Sequence, residues 1–328
     1  MPVFGTNGPV GFTATAQVDG PGVIIGRKGA YRGVHYSSEP FWVIDTAFYL
    51  VPHAGINTKW AYYALQLADI NGLDSGSAIP STTRDAFYSL DVLLPSMEVQ
   101  TAIAEVLSAL DEKIAANTKL VLTLDTHMAL SFNRAISEGS QTVALGDAVT
   151  FHNRRRIPLS SRERRTRPGS VPYYGASGAF GTVDEAIFDQ PLVLVGEDGS
   201  VMNPDGTPIV QYVWGPSWVN NHAHVLTGAR ISTELLYLAI SRKQVATLVT
   251  GAVQPKINMG NLKRLELTLP TGDALKELER FVGAEVASKR LLVEEKRTLA
   301  TTRDTLLPQL MSGKLRVKDA ENLLSDVL

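Results

Sequence analysis

Cysteine is absent from the 328 residues, so neither a disulfide nor a thiolate metal site contributes to this protein. A reducing, cytoplasmic location is the matching expectation. No run of about 18 apolar residues occurs, and no membrane span is expected. The opening Met1-Pro2-Val3-Phe4-Gly5 lacks both a basic and an apolar stretch, so no secretory signal is expected. An excess of one charge is missing too: 31 Lys and Arg stand against 33 Asp and Glu, a net −2. A binder of nucleic acid by bulk positive charge is thereby excluded, and any such contact has to come from local patches. What remains is ordinary for a globular chain, 44% hydrophobic and 20% charged, and long enough for two cores.

The chain repeats itself. Met1–Gly8 aligns with Val171–Gly178 at an offset of 170, which also superposes Val23–Gly29 on Val193–Gly199. Five extra residues in the second copy then make the offset 175. That offset matches Ile44–Ala47 with Val219–His222, Gly76–Pro80 with Gly251–Pro255, and Leu93–Pro95 with Thr268–Pro270. Within each copy, short β-branched and aromatic runs bounded by Gly, Pro and Asn predict strands at Gly22–Ile25, Phe41–Val51, Leu192–Val195 and Gln211–Trp214. Helices are expected at Lys59–Ala68 and Thr233–Leu248, and two long ones at about 96–136 and 273–311. The first long helix places Ile103, Leu107, Leu110, Ile114, Asn117, Val121, Leu124 and Met128 at alternating spacings of four and three. That is a heptad seam, and Asn117 within it is of the kind that fixes register. On the second, Leu278, Leu292, Leu299 and Leu306 recur at multiples of seven, interrupted by Glu285.

The expected fold is therefore α/β, a tandem pseudo-twofold repeat of two globular domains separated by two long antiparallel coiled-coil helices. Its parts are a first domain at 1–95, a helix at 96–137, a second domain at 138–270, and a second helix with a C-terminal tail at 271–328.

This organisation resembles, over nearly the whole chain, the specificity subunits of type I restriction–modification systems. The resemblance is carried by the Phe4–Gly11 loop, the Ile25–Gly29 turn, Ser75–Ser81 leading into Leu90–Pro95, and the closing Leu306–Leu315. It implies that the globular parts are target-recognition domains reading a bipartite double-stranded DNA sequence. It implies that the helices are spacers binding two methyltransferase subunits, joined by restriction and motor subunits in the full complex. No catalytic centre and no cofactor would belong to this chain, S-adenosylmethionine sitting on the methyltransferase partner. The sequence departs from the pattern in one respect: the first copy has no counterpart of Leu145–Ser170 in front of it. Either this start lies downstream of the family's usual one, in which case a Leu-Gly-Asp-like segment is expected in frame upstream, or the gene is shortened or permuted. The first domain's function is then either lost or compensated by the tail after Met311.

Local charge singles out Arg154, Arg155 and Arg156, followed by Arg162, Arg164, Arg165 and Arg167, with only Glu163 opposing them. Guanidinium forks suit phosphate and the guanine edge, which makes this a candidate backbone clamp. The bland alternative is a solvated loop. In the first copy Arg27, Lys28, Tyr31, Arg32 and His35 form a basic-aromatic turn, whereas its counterpart holds Glu197, Asp198 and Ser200. Divergence there is what two heads reading different sequences would show, a carboxylate accepting from cytosine N4; the alternative is two ordinary hairpin turns. Asn7, Ser177, Asn220, Asn221 and His222 are polar groups near strand ends. Thr82 and Arg84, with Lys256 and Asn258 in the second copy, precede the last strand and are candidates for phosphate.

Enzymatic readings fare poorly. His222-x-His224 is a thin basis for a metal site, and Ser200, His222 and Asp198 lack any G-x-S-x-G elbow. The glycines at 26, 29 and 33 carry no G-K-[ST] loop, and no amino-methyltransferase motif of the Asn-Pro-Pro-aromatic kind is present. A two-headed protein-binding scaffold without DNA recognition keeps the architecture and stands as the alternative.

Overall fold

A computed structural model describes residues 1–73, 80–251 and 253–324; the Ser75–Ile79 part of the repeated motif and Ala252 lie outside the described residues. The chain forms two compact units, Met1–Thr118 with Val293–Leu328, and Lys119–Leu292.

In the first unit, β1 (Pro2–Gly5), β2 (Gly8–Phe12), β3 (Gly22–Gly26), β4 (Val34–Ser37), β5 (Trp42–Val43) and β6 (Ala47–Leu50) make two three-stranded sheets, ordered β2-β1-β5 and β4-β3-β6. The unbroken apolar run of β3 is buried along its whole length, as a central strand covered on both faces must be. Next comes α1 (Thr58–Gln66), capped by the Asn57 side chain accepting from the Lys59 and Trp60 amides. Then follow α2 (Arg84–Tyr88) and the start of α3 (Met97–Ser137).

The second unit holds the remainder of α3 and then β7 (Ser140–Ala144), α4 (Leu145–Ala148), β8 (Val149–Phe151) and α5 (Ser161–Arg165). Its repeated part contains β9 (Val171–Tyr174), β10 (Ala179–Val183), β11 (Phe188–Asp189), β12 (Leu192–Gly196), β13 (Val210–Val213), β14 (Pro216–Val219) and β15 (Ala223–Gly228). After these come α6 (Thr233–Ser241), α7 (Met259–Lys263) and β16 (Glu266–Pro270). The sheet orders β10-β9-β14-β11 and β13-β12-β15-β8 repeat those of the first unit with one strand added to each; β16 pairs with β7. The last long helix, α8 (Gly272–Met311), starts in this unit and ends in the first, where α9 (Val317–Leu324) follows.

Strand register corrects the offset between the copies. Val3 pairs with Trp42 on β5 and Tyr173 with Trp218 on β14; Gly26 pairs with Ala47 and Gly196 with Ala223. Both pairs of ladders place residues 42–50 at an offset of 176, and it returns to 175 at the caps Asn57 and Ser232. The partner of Thr46 is therefore His222, and that of Asp45 is Asn221. Sequence matching places a one-residue gap anywhere in a loop, whereas a strand ladder fixes it.

The heptad seam is buried within each unit. In the first, Ile103, Leu107 and Leu110 are covered by Leu299, Leu306 and Leu310, with Ile114 half-buried. Asp111 bonds Arg303 at 2.7 Å and Asn117 donates to Glu295 at 2.8 Å, so numbers rise on α3 as they fall on α8 and the helices run antiparallel. In the second, Met128 packs with Leu278, Val282 and Val286, while Val121 and Leu124 are half-buried. Asp125 meets Lys289 at 2.5 Å, and Glu285, which interrupts the heptads, meets His127 at 3.3 Å.

The two cores are closed alike. Leu145 and Ala148 of α4 join the second unit's cluster with Phe132 and Leu262, and Ala320 and Leu324 of α9 join the first unit's cluster with Trp60 and Leu307. No described helix is long and apolar enough to cross a membrane.

Candidate nucleic-acid interface

One backbone frame holds the candidate loops in both domains. The Arg27 amide donates to the Thr46 carbonyl at 2.9 Å, and that of Glu197 to His222 at 2.8 Å. Gly29 donates to Pro80 and Gly199 to Pro255; Thr82 donates to Arg27 and Ile257 to Glu197. Gly29 and Gly199 both have positive φ, 110° and 76°, a conformation that favours glycine at this turn. The β1–β2 and β9–β10 hairpin tips, bearing Asn7 and Ser177, are exposed in each copy.

In the first domain Arg27 and Arg84, distant in sequence, converge on the Phe48 ring at 5.1 and 5.7 Å. They line a cleft of about 480 Å³ with Gln17, Asp45 and Tyr88. Lys28 holds Asp45 at 2.8 Å, and this ammonium keeps the Asp45 carboxyl below its usual range. Tyr31 is exposed, and His35 is half-buried with Nε2 near the Thr6 carbonyl. Two candidates are corrected. Arg32 is only 3% exposed and its guanidinium donates to the Gly29, Ile70 and Asn71 carbonyls, so it clamps the fold. Thr82, 1% exposed, bonds the Ile70 carbonyl.

In the second domain the arginine run divides. Arg154, Arg162 and Arg165 are exposed with no partner among the described residues. Arg155 lies over the Phe188 ring and donates to the Ile187 carbonyl. Arg164 stacks on Phe180 at 4.6 Å, and Arg167 is held by Asp184 and Glu185 above Trp218. Arg156 is corrected from a phosphate contact: its guanidinium meets Glu197 at 2.5 Å and donates to the Asn221, Ala223 and Asn153 carbonyls. Glu197 is thereby spent inside the domain, 3.6 Å from His224 and 3.8 Å from Lys256, and is corrected as a reader of cytosine. Asn220 is buried with its Oδ1 accepting from the His222 amide, and Asn258 caps α7 through the Asn261 amide; both shape turns. Lys256 and Ser200 remain partly or fully exposed.

The two histidines separate. His224 is buried against Asn153 and the Ile257 carbonyl, and burial pulls its pKa down. His222 stands at the surface with Nδ1 bonded to Asp198; Ser200 is not among the partners of either. A cleft of about 430 Å³ lies beside this pair, lined also by Ser177, Phe180 and Gln254. Phe180 and Gln254 were invisible to sequence reasoning, since only the fold brings residues 74 positions apart to one rim. The sequence set Asp198 beside His222 only as parts of a serine triad; the structure joins these two and leaves Ser200 apart.

The chain matches the family described as the type I restriction modification DNA specificity domain over residues 1–124 and 137–277. It is 26% identical over 160 residues to a type I restriction enzyme specificity subunit of Haemophilus influenzae, covering 48% of this chain and 40% of that protein. The specificity subunit of the Escherichia coli type I restriction enzyme EcoprrI is 33% identical over 111 residues, 34% of this chain and 28% of its own length. The chain thus spans less than half the length of these two relatives. Its fold matches the crystal structure of the type I restriction–modification S subunit from M. genitalium with a TM-score of 0.64 at 20% identity, covering 94% of this chain and 88% of that one. Two tandem matches to one family, on two copies of one fold, make the chain a member of the type I restriction–modification DNA specificity family.

Proposed function

We propose that this chain recognises a bipartite double-stranded DNA target, one half-site per domain, and performs no catalysis itself. Two methyltransferase subunits dock on the long helices, with restriction and motor subunits added in the full complex. S-adenosylmethionine binds the methyltransferase, and the assembly works in the cytoplasm, where its DNA substrate is. Arg154, Arg162 and Arg165 carry the reading: three exposed guanidinium groups, without partners among the described residues, whereas Arg156 is spent on Glu197. Such groups hold phosphate and set register on the duplex.

The test is duplex binding by the full chain across a salt series. Replacing the three arginines with Ala lowers affinity for all sequences alike and reduces the salt slope by roughly 0.9 per lost phosphate contact. Binding that is indifferent to salt, or a slope unchanged in the triple variant, sinks the proposal and leaves a protein-binding scaffold.

A further inference from the structure

We propose that Asp45 in the first domain and His222 in the second are base-reading groups of opposite design, each held by the residue at one shared turn position, Lys28 or Asp198. This rests on the DNA-recognition reading above and adds the residues that discriminate sequence.

The two domains use the same turn for opposite charges. Position 28 of the first copy is Lys, and its equivalent 198 is Asp. Each reaches across to the same neighbouring loop, Lys28 to Asp45 at 2.8 Å and Asp198 to Nδ1 of His222. The inner charge at this turn changes sign between the copies. Each partner stands on the same following loop at adjacent rather than equivalent positions, Asp45 matching Asn221 and His222 matching Thr46. The three cross-loop hydrogen bonds of the backbone are the same in both copies. Stability does not demand either polarity, since an exposed ion pair contributes about 0–1 kcal/mol and the frame is held by its own amides. Two different half-sites would call for such a change of sign.

Exposure says which member of each pair faces outward. The Asp45 side chain is 77% exposed against 41% for Lys28; His222 is 50% exposed against 17% for Asp198. The inner residue holds the outer one in place. Asp45 therefore presents an acceptor with no proton to give. Phosphate repels such a group, so in the major groove of a duplex its base partner is the amino edge of cytosine or adenine. In the second domain Asp198 occupies Nδ1 of the imidazole, and His222 lines the 430 Å³ cleft together with Ser177, Gln254 and the exposed ring of Phe180. That rim offers hydrogen-bonding groups for a base edge and an apolar ring for groove contact.

The deciding experiment selects bound sequences from a randomised duplex pool with the full chain and its methyltransferase subunits, comparing the wild type with Asp45→Asn and His222→Ala. Asp45→Asn gains a donor, so the preference for an amino base at one position of one half-site falls about ten- to a hundredfold. His222→Ala relaxes a position in the other half-site and leaves the first intact. Thermal melting of both variants matches the wild type, which separates lost reading from lost folding. If either variant keeps every base preference, or weakens binding to all sequences equally, or both act on the same half-site, the assignment is overturned. A wild type that selects no sequence overturns the DNA-recognition reading itself and this assignment with it.

Discussion

The two domains share one strand order and differ at their margins. In the second, β8 extends one sheet along β15 and β7 pairs with the final strand, β16. In the first, neither β6 nor the segment at 91–95 has such a partner among the described residues. The same repeat positions then meet opposite fates: Leu267 and Leu269 are 0% and 2% exposed, whereas Val92 and Leu94 are 45% and 57% exposed. Burial is conferred by the neighbouring strand, and an apolar residue at a repeat position is not core by its type alone.

The largest effect comes from testing that directly. Leu269→Ala is expected to cost about 2–5 kcal/mol in denaturant unfolding, while Leu94→Ala changes stability by less than about 0.5 kcal/mol. Equal costs would break the comparison. Next is the charge beneath the loops. Arg156→Ala leaves Glu197 partly buried without its main partner and should cost about 2–3 kcal/mol, less than full burial would exact because both side chains keep some water. Arg27→Ala, at the position of Glu197 in the first copy, removes a contact with the Phe48 ring and a weak attraction to exposed Asp45, and costs under about 1 kcal/mol.

A third difference is read by pH. His224 occupies the position that Phe48 holds in the first copy, and burial depresses its pKa. The unfolded imidazole therefore binds its proton more readily than the folded one. The stability this group contributes is present above an ordinary histidine pKa of about 6.5 and declines as pH falls below it, at up to about 1.4 kcal/mol per pH unit. His152, depressed by burial and then by Arg155, adds to the same trend. Hydrogen exchange between pH 7 and 5 should show the second domain loosening before the first, and His224→Phe should shrink the gap. The smallest effect belongs to the helices: Asn117→Leu should alter stability by less than about 1 kcal/mol, because Lys113 keeps Glu295 paired at 3.4 Å.

The long helices were legible because a heptad pattern is local: the expected 96–136 and 273–311 became Met97–Ser137 and Gly272–Met311. The repeat was legible because glycine turns and prolines recur. The 176 offset was not, since nothing along the chain says where in a loop a residue was gained. The arginine run shows the same limit. Composition marked Arg154, Arg156 and Arg167 alike, and only the fold reveals that Arg156 answers to Glu197, 41 positions away, while Arg167 answers to Asp184 and Glu185. Arg32 and Thr82 were misread for the same reason, their acceptors lying at Ile70 and Asn71.

The closing of the first core by α9 bears on the order in which the molecule is made. The second unit is one continuous stretch, Lys119–Leu292, complete as soon as its last residue leaves the ribosome. The first unit must wait for Val293 onward, and for Ala320 and Leu324 to seal the cluster around Trp60. At roughly 5–20 residues per second, that delay from Thr118 to Leu324 is on the order of 10–40 s. The half that emerges first is thus finished last, and through that interval its apolar surface depends on whatever shields nascent chains.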